Sequence, residues 1–284
     1  TEPMVSDHRY KKIMPTEKAV SSFGCIHEKI EKIKKKLFER ISPEQEEQYR
    51  QTLNQRERRI PLQQITGEQE FMGLSFYVNE HVLIPRQDTE ILGEEVLKQL
   101  HDGMRVLDMC TGSGCILLSL LHYSNACEGL GVDLSADALE VAEQNAETLL
   151  DAANADRVHF LQSDLFDKVE GKFEIIVSNP PYIASAEVEK LMPEVRDHEP
   201  RMALDGTEDG LHFYRRIIEE AGKHLVSSGM LFFEIGYDQG QAVSELMRAG
   251  GYREVQVVQD YAGLDRVVFG TYVTVQPAPF AKSR

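Results

Sequence analysis

At 284 residues, with 42% hydrophobic and 27% charged side chains, the chain can bury a large core, which excludes a wholly disordered, collagen-like or low-complexity protein. Its four cysteines (Cys25, Cys110, Cys115, Cys127) form no Cys-x-x-Cys pair, which excludes a disulfide scaffold, leaves zinc no evident site and points to reduced thiols in a cytoplasmic protein. The net charge of −16 is uneven: up to Arg59 there are 14 Lys and Arg against 10 Asp and Glu, and from Ile60 onward 17 against 37, a balance that disfavours stable nucleic-acid binding.

Residues 1–25 are polar and without a clear period, and read as a leader with no export signal. Ile26, Ile30, Ile33 and Leu37 then recur at helical spacing. The basic run Lys32 to Lys36 is either the solvated face of that helix or a docking element for a partner. Ser42-Pro43-Glu44-Gln45 has the form of a capping box opening a second helix, anchored by only Tyr49 and Leu53. Gln69 to Ile84 reads as short strands, with Phe71, Phe76, Val78, Val82 and Ile84 as apolar members.

From Gly103, short apolar runs alternate with helical patterns. The runs are Arg105–Cys110, Gly129–Asp133, Val158–Gln162, Glu174–Ser178 and Met230–Ile235. The intervening helices fit Ile116–Leu121, Ala136–Leu150, Leu211–Leu225 and Gln239–Ala249. Near-continuous Val, Ile and Leu suits strands covered on both faces, as in a parallel sheet. Val255–Val258 and Arg266–Tyr272 can close it as a final pair. The expected fold is a doubly wound, mostly parallel seven-stranded α/β sheet with a small N-terminal helical domain, its ligands at the strand carboxyl ends. The longest uncharged stretch, Thr111 to Cys127, is broken by Gly, Ser, Asn and His and makes no membrane span.

Two places at that edge carry chemistry. Asp108-Met109-Cys110-Thr111-Gly112-Ser113-Gly114 is a strand running into a glycine turn, and the next strand ends at Asp133, 21 residues beyond Gly112. That spacing suits a carboxylate accepting two ribose hydroxyls. A dinucleotide fingerprint would need glycine where Leu117 stands, and Asp108 would repel a pyrophosphate. Both features favour a nucleoside with a cationic amino-acid tail, such as S-adenosylmethionine, over NAD; an ordinary tight turn is the alternative. After the third strand, Asp164 and Leu165 can clamp an adenine, or Asp164 can cap a helix.

The second place is Asn179-Pro180-Pro181-Tyr182, which ends the fourth strand. A residue before proline is held extended, and the prolines contribute carbonyls without N–H groups. The Asn179 amide oxygen and the Pro180 carbonyl can therefore accept both protons of a planar –NH2 group, with Tyr182 supplying an aromatic face. An amide or aryl amine nitrogen cannot be deprotonated near neutrality. Two acceptors that aim its lone pair at a methyl sulfonium make a general base unnecessary.

This segment resembles the amino-methyltransferases that use S-adenosylmethionine. Thr66-Gly67-Glu68-Gln69-Glu70-Phe71, Leu83-Ile84-Pro85-Arg86-Gln87-Asp88-Thr89-Glu90, Asp108 to Gly114, Val195-Arg196-Asp197-His198-Glu199-Pro200 and Phe233-Glu234-Ile235-Gly236 narrow the likeness. Together they resemble the peptide chain release factor glutamine methyltransferases, from about Ser42 to Phe269. The resemblance implies a class I methyltransferase-like fold and methyl transfer to the side-chain amide of the glutamine in the Gly-Gly-Gln motif of release factors. It implies that Asp108, Thr111, Gly112, Ser113, Gly114, Cys115, Asp133, Asp164, Leu165 and Asn179 hold the cofactor. Asn179, Pro180, Pro181 and Tyr182 would hold the substrate glutamine, and S-adenosylhomocysteine would be the product. Gln87 departs from the second proline that the family often has there.

An adenine N6-methyltransferase acting on DNA or RNA is the alternative, since an adenine amine makes the same demand of Asn179 and Tyr182. The expected division is a leader (1–25), a helical docking domain (26–65), a hairpin linker and helix (66–100) and a methyltransferase domain (101–284) in a monomer. Among smaller features, Arg86, Thr89 and Glu90 either shape the cofactor's methionine end or cap a helix. His198 and Arg201 are expected to pair with surface acids, and Glu234 lies near the pocket or is a structural carboxylate.

Overall fold

The computed structural model describes residues 42–150 and 155–273. The leader, the helix expected over Ile26–Leu37 and Lys32 to Lys36 lie outside the described residues. Two compact units divide at Glu57/Arg58. In the first, helix α1 (Pro43–Glu57) opens with the expected reciprocal capping: the Ser42 amide donates to Gln45 Oε1 at 2.9 Å and the Gln45 amide to Ser42 Oγ at 3.3 Å. Tyr49 and Leu53 are exposed on it.

The second unit begins with a short helix α2 (Leu62–Thr66) and the hairpin β1 (Glu68–Phe71) and β2 (Leu74–Tyr77). Strand geometry stops at Tyr77, short of the expected Ile84. Val78 and Val82 are buried because they pack on Ala138 and Val141, so that part of the apolar pattern reports contact with a helix rather than a ladder. Helix α3 (Gln87–Leu97) follows, then the alternation β3 (Arg105–Met109), α4 (Cys115–His122), β4 (Glu128–Asp133), α5 (Ala136–Leu149), β5 (Val158–Gln162) and β6 (Phe173–Ser178). Three helices of four residues each, α6 (Ser185–Val188), α7 (Pro193–Arg196) and α8 (Arg201–Leu204), have no counterpart in the sequence reading. The chain continues through α9 (His212–Ala221), β7 (Leu225–Glu234), α10 (Gly240–Ala249), β8 (Tyr252–Gln259) and β9 (Asp265–Tyr272). Strand β7 takes up Leu225, which the sequence pattern had assigned to the preceding helix.

Among the described residues the main sheet has seven strands in the order β5-β4-β3-β6-β7-β9-β8. All neighbours are parallel except at β9, which runs antiparallel to both β7 and β8. The strand period of two sends alternate residues to opposite faces. Val106, Ile175, Val177, Phe232, Val267 and Phe269 join one core with Leu92 of α3 and Leu117 and Leu121 of α4. Leu107, Ile176, Phe233 and Val268 join the other with Tyr214 and Ile217 of α9 and Val243 and Met247 of α10. The result is a three-layer α/β/α unit. Strand order reverses between β3 and β6, which opens a crevice at their shared carboxyl edge. No helix among the described residues is long and apolar enough to cross a membrane.

Candidate active site

A cavity of about 210 Å³ opens at that crevice. Its walls come from the turn after β3, the ends of β4 and β5, the segment after β6 and the loop preceding α3. β3 and β6 are hydrogen-bonded neighbours with Met109 opposite Ser178, and Ser178 Oγ donates to the Met109 carbonyl at 2.6 Å. The glycine turn and the Asn-Pro-Pro-Tyr segment therefore leave the sheet side by side.

The turn itself needs unusual backbone. Cys110 takes φ of 63°, Gly112 56° and Gly114 78°. The two glycines serve different ends. A Cβ on Gly112 would meet nothing within 4 Å, and that residue lines the cavity. A Cβ on Gly114 would lie 3.1 Å from Leu118 Cδ1 and 3.3 Å from Ala142 Cβ, so it secures helix packing behind the turn. Asp133 joins the turn to β4: Oδ2 accepts from the Gly112 amide and Oδ1 from the Ser135 amide, each at 2.9 Å. Burial raises the Asp133 carboxyl above its ordinary range, opposed by these backbone donors. Thr111, Ser113 and Cys115 also line the cavity.

Asp108 lies beneath the turn, fully buried and out of the cavity lining. Its Oδ2 accepts from the Thr111 hydroxyl at 2.7 Å, while Oδ1 has no hydrogen-bond partner among the described residues. Burial pushes its pKa up to about 7. The thiols of Cys110 and Cys115 are likewise driven up by burial, which disfavours their thiolate forms.

Across the cavity, Leu165 is buried with φ of 47°, a left-handed conformation that is costly for a branched side chain. Asp164 beside it caps no helix; Oδ1 pairs with Arg216 of α9 at 2.9 Å. Asn179 and Pro181 line the cavity, whereas Pro180 is buried behind it and Tyr182 packs on the second core. The Asn179 Nδ2 donates to Thr89 Oγ1 at 3.4 Å, leaving Oδ1 without a donor among the described residues. The Pro180 carbonyl likewise accepts no hydrogen bond among the described residues. Tyr182 donates its hydroxyl to Glu234 Oε1 at 3.2 Å and accepts from Gln239 Nε2 at 3.0 Å through its carbonyl. Burial and the Glu234 carboxylate raise the Tyr182 phenol well above its ordinary value.

Of the alternatives for the loop residues, capping falls away, while Arg86 and Thr89 line the cavity. None of Arg86, Thr89 and Glu90 caps α3 with its side chain. Arg86 pairs with the buried Glu199 at 2.5 Å, Glu90 accepts from the Met72 amide at 2.9 Å, and Thr89 faces Asn179. Arg201 pairs with Glu189 and Asp205 at the surface, as expected, but His198 Nε2 contacts the Arg58 carbonyl at 3.0 Å.

Three supports escaped the sequence reading. Glu199 also accepts from the Ile84 amide at 3.2 Å, tying the two walls of the cavity mouth together. Gly210, with φ of 72°, lets its loop press on the Tyr182 backbone; a Cβ there would overlap the Tyr182 carbonyl oxygen. Asn145 of α5 accepts from the Tyr77 amide at 2.7 Å and donates to the Tyr77 and Ser113 carbonyls at 3.0 and 2.9 Å. A polar residue amid Val141, Ala142 and Ala146 was the available signal for the last.

Known proteins resemble this chain in sequence and in fold. The family model described as "Methyltransferase small domain" matches residues 87–195. The release factor glutamine methyltransferase of Clostridium acetobutylicum is 45% identical over 226 residues, 78% of this chain and 78% of that protein. The one from Moorella thermoacetica is 46% identical over 235 residues, 81% of this chain and 82% of that protein. The crystal structure of a methyltransferase from Pyrococcus furiosus superposes with a TM-score of 0.52 at 18% identity, over 72% of this chain and 91% of that one, which bears on fold alone. With identity of this level across four-fifths of its length, this chain belongs to the release factor glutamine methyltransferase family.

Proposed function

We propose that this enzyme transfers a methyl group from S-adenosylmethionine to the side-chain amide nitrogen of the glutamine in the Gly-Gly-Gln motif of peptide chain release factors. The observation that carries the reading is that Asn179, with its amide oxygen unengaged, shares one cavity with Asp133 and the glycine turn.

The residues present fit the cofactor. Asp133 has lone pairs left for two ribose hydroxyls after accepting from Gly112 and Ser135. Apolar Val132 and Leu165 flank the place for an adenine, with Asp164 available to its exocyclic amine. The turn from Thr111 to Cys115 takes the amino-acid end, with Asp108 buried beneath it and bonded to the Thr111 hydroxyl. When bound, S-adenosylmethionine supplies an electrophilic methyl on a sulfonium.

The chain's own residues do the rest by holding and shielding. Asn179 Oδ1 and the Pro180 carbonyl accept the two protons of the glutamine amide and direct the nitrogen toward the cavity. Orientation of this kind is worth about 7–11 kcal/mol of barrier. The same two oxygens stabilise positive charge as it grows on the nitrogen, by about 2.7–4 kcal/mol per contact on the analogy of oxyanion holes. The two prolines fix the backbone so that neither acceptor needs to reorganise.

Labelled methyl is expected on an intact release factor, and not on one whose motif glutamine is alanine, nor on DNA or RNA. Equal labelling of both release factors, or transfer to nucleic acid, contradicts the assignment. Asn179→Ala should bind cofactor normally and turn over roughly 100-fold more slowly or worse.

A further inference from the structure

Behind the Asn-Pro-Pro-Tyr segment lies a buried polar cluster. Glu234 ends β7 with 2% of its surface exposed, directly after the apolar Phe232 and Phe233. A carboxylate is costly to bury without partners, and the sheet would be served here by another apolar residue. Its Oε1 accepts from the Tyr182 hydroxyl at 3.2 Å; Oε2 has no donor in bonding geometry among the described residues, with the Thr89 hydroxyl beside the carboxylate. Arg266 of β9 lends positive charge, itself pairing with Asp260 at 3.1 Å and Asp88 at 3.4 Å. Thr89 Oγ1 in turn accepts from Asn179 Nδ2 at 3.4 Å. The link from Thr89 to Asn179 is long for a hydrogen bond, as in a site that tightens around its substrate.

We infer that Glu234 is a positioning residue for methyl transfer, orienting the Asn179 carboxamide through Thr89 while it holds the Tyr182 hydroxyl. The inference rests on the role of Asn179 proposed above. A hydroxyl has one proton. While Glu234 is an acceptor, Thr89 turns its proton to Glu234 and offers Asn179 only a lone pair. The Asn179 NH2 must then face Thr89, and Oδ1 faces the cavity. A protonated Glu234, or a glutamine in its place, donates to Thr89 instead. The Thr89 proton is then free to attract Oδ1, and the carboxamide flips its acceptor out of the cavity.

Acid should therefore weaken turnover. Burial raises the Glu234 carboxyl, opposed by Thr89, Arg266 and Tyr182, while Asp88 raises it further. Tyr214 of α9 and Cys115 of α4 also feel this carboxylate and remain neutral. The acid limb of kcat thus lies above the usual carboxylate range.

The test is full kinetics of Glu234→Gln, Thr89→Val and Asn179→Ala between about pH 5.5 and 8.5, with cofactor affinity by equilibrium dialysis. Glu234→Gln should lower kcat about tenfold or more, keep cofactor affinity within about threefold and lose the acid limb. Thr89→Val, which is isosteric and keeps the charge, should show the same fall in kcat. Wild-type kcat and an unchanged acid limb in Glu234→Gln, with Asn179→Ala inactive, overturn the inference and leave the Asn179 assignment standing. Should Glu234→Gln not fold, wild-type turnover in Thr89→Val overturns it equally. An active Asn179→Ala overturns the assignment beneath it.

Discussion

Gly210 packs its backbone against the Tyr182 carbonyl so closely that no side chain fits between them. The loop after α8 thereby braces the proposed substrate grip from behind, and Gln239 clamps the same carbonyl at 3.0 Å from the side. Gly210→Ala adds both a left-handed alanine and a backbone overlap, and should cost about 2–5 kcal/mol. The expected outcome is a lower denaturation midpoint together with a lower kcat, followed by urea titration and methyl transfer.

Gly112→Ala is the contrasting case. Its φ of 56° imposes strain, but a Cβ would meet no atom within 4 Å. Stability should fall by only about 1–2 kcal/mol. Because the new methyl points where ligand is proposed to lie, cofactor affinity should fall further than stability does, a difference that calorimetric titration beside a thermal melt reveals.

Asp133 holds the turn by accepting two backbone protons, one with each oxygen. Asparagine can accept with only one side, and its NH2 would oppose the other amide. Asp133→Asn is expected to weaken cofactor binding about 10- to 100-fold, the worth of one charge-assisted hydrogen bond. Isothermal titration with S-adenosylhomocysteine measures it.

Arg86 and Glu199 join the loop before α3 to the loop before α8. Glu199 is fully enclosed while Arg86 is 39% exposed, so solvent screens part of the pairing. Arg86→Ala leaves a buried carboxylate with, among the described residues, only the Ile84 amide as partner and should cost about 1–3 kcal/mol. Glu199→Gln, which retains an acceptor for that amide, should cost less. Paired urea titrations rank the two.

Asp108 makes the free enzyme's stability depend on pH. Its carboxyl titrates near 7 when folded, against 3.8 when unperturbed. Between those values the folded chain holds a proton that the unfolded chain has lost, so this group's contribution to stability falls as pH rises from about 4 to 7. Asp108→Asn still accepts from Thr111 and cannot titrate. Its stability should change less steeply across that window, by up to about 1.4 kcal/mol per pH unit, in urea midpoints at pH 5, 6 and 7.

The sheet was readable because its strands are enclosed on both faces and so appear as unbroken runs such as Val106-Leu107 and Ile175-Ile176-Val177. Boundaries failed where two elements share one apolar stretch: Leu225 continues the helical spacing of α9 yet begins β7. Four-residue helices carry no stripe to detect, which hid α6, α7 and α8. The residues of the cavity announced themselves through backbone demands, since glycine and proline have few other uses at strand ends. Their supports did not. Glu199 looks like any surface acid in the sequence, and Glu234, though placed near the pocket by its position at a strand end, shows no partner there, because a carboxylate's burial depends on residues more than a hundred and about fifty positions away.

Asn145 ties an outlying hairpin to the Ser113 turn that lines the candidate cavity through a single carboxamide. The smallest self-sufficient enzyme accordingly starts no later than β1. A fragment cut at the first strand of the main sheet would lose that tether together with the wall of the cavity that His81 to Thr89 contribute.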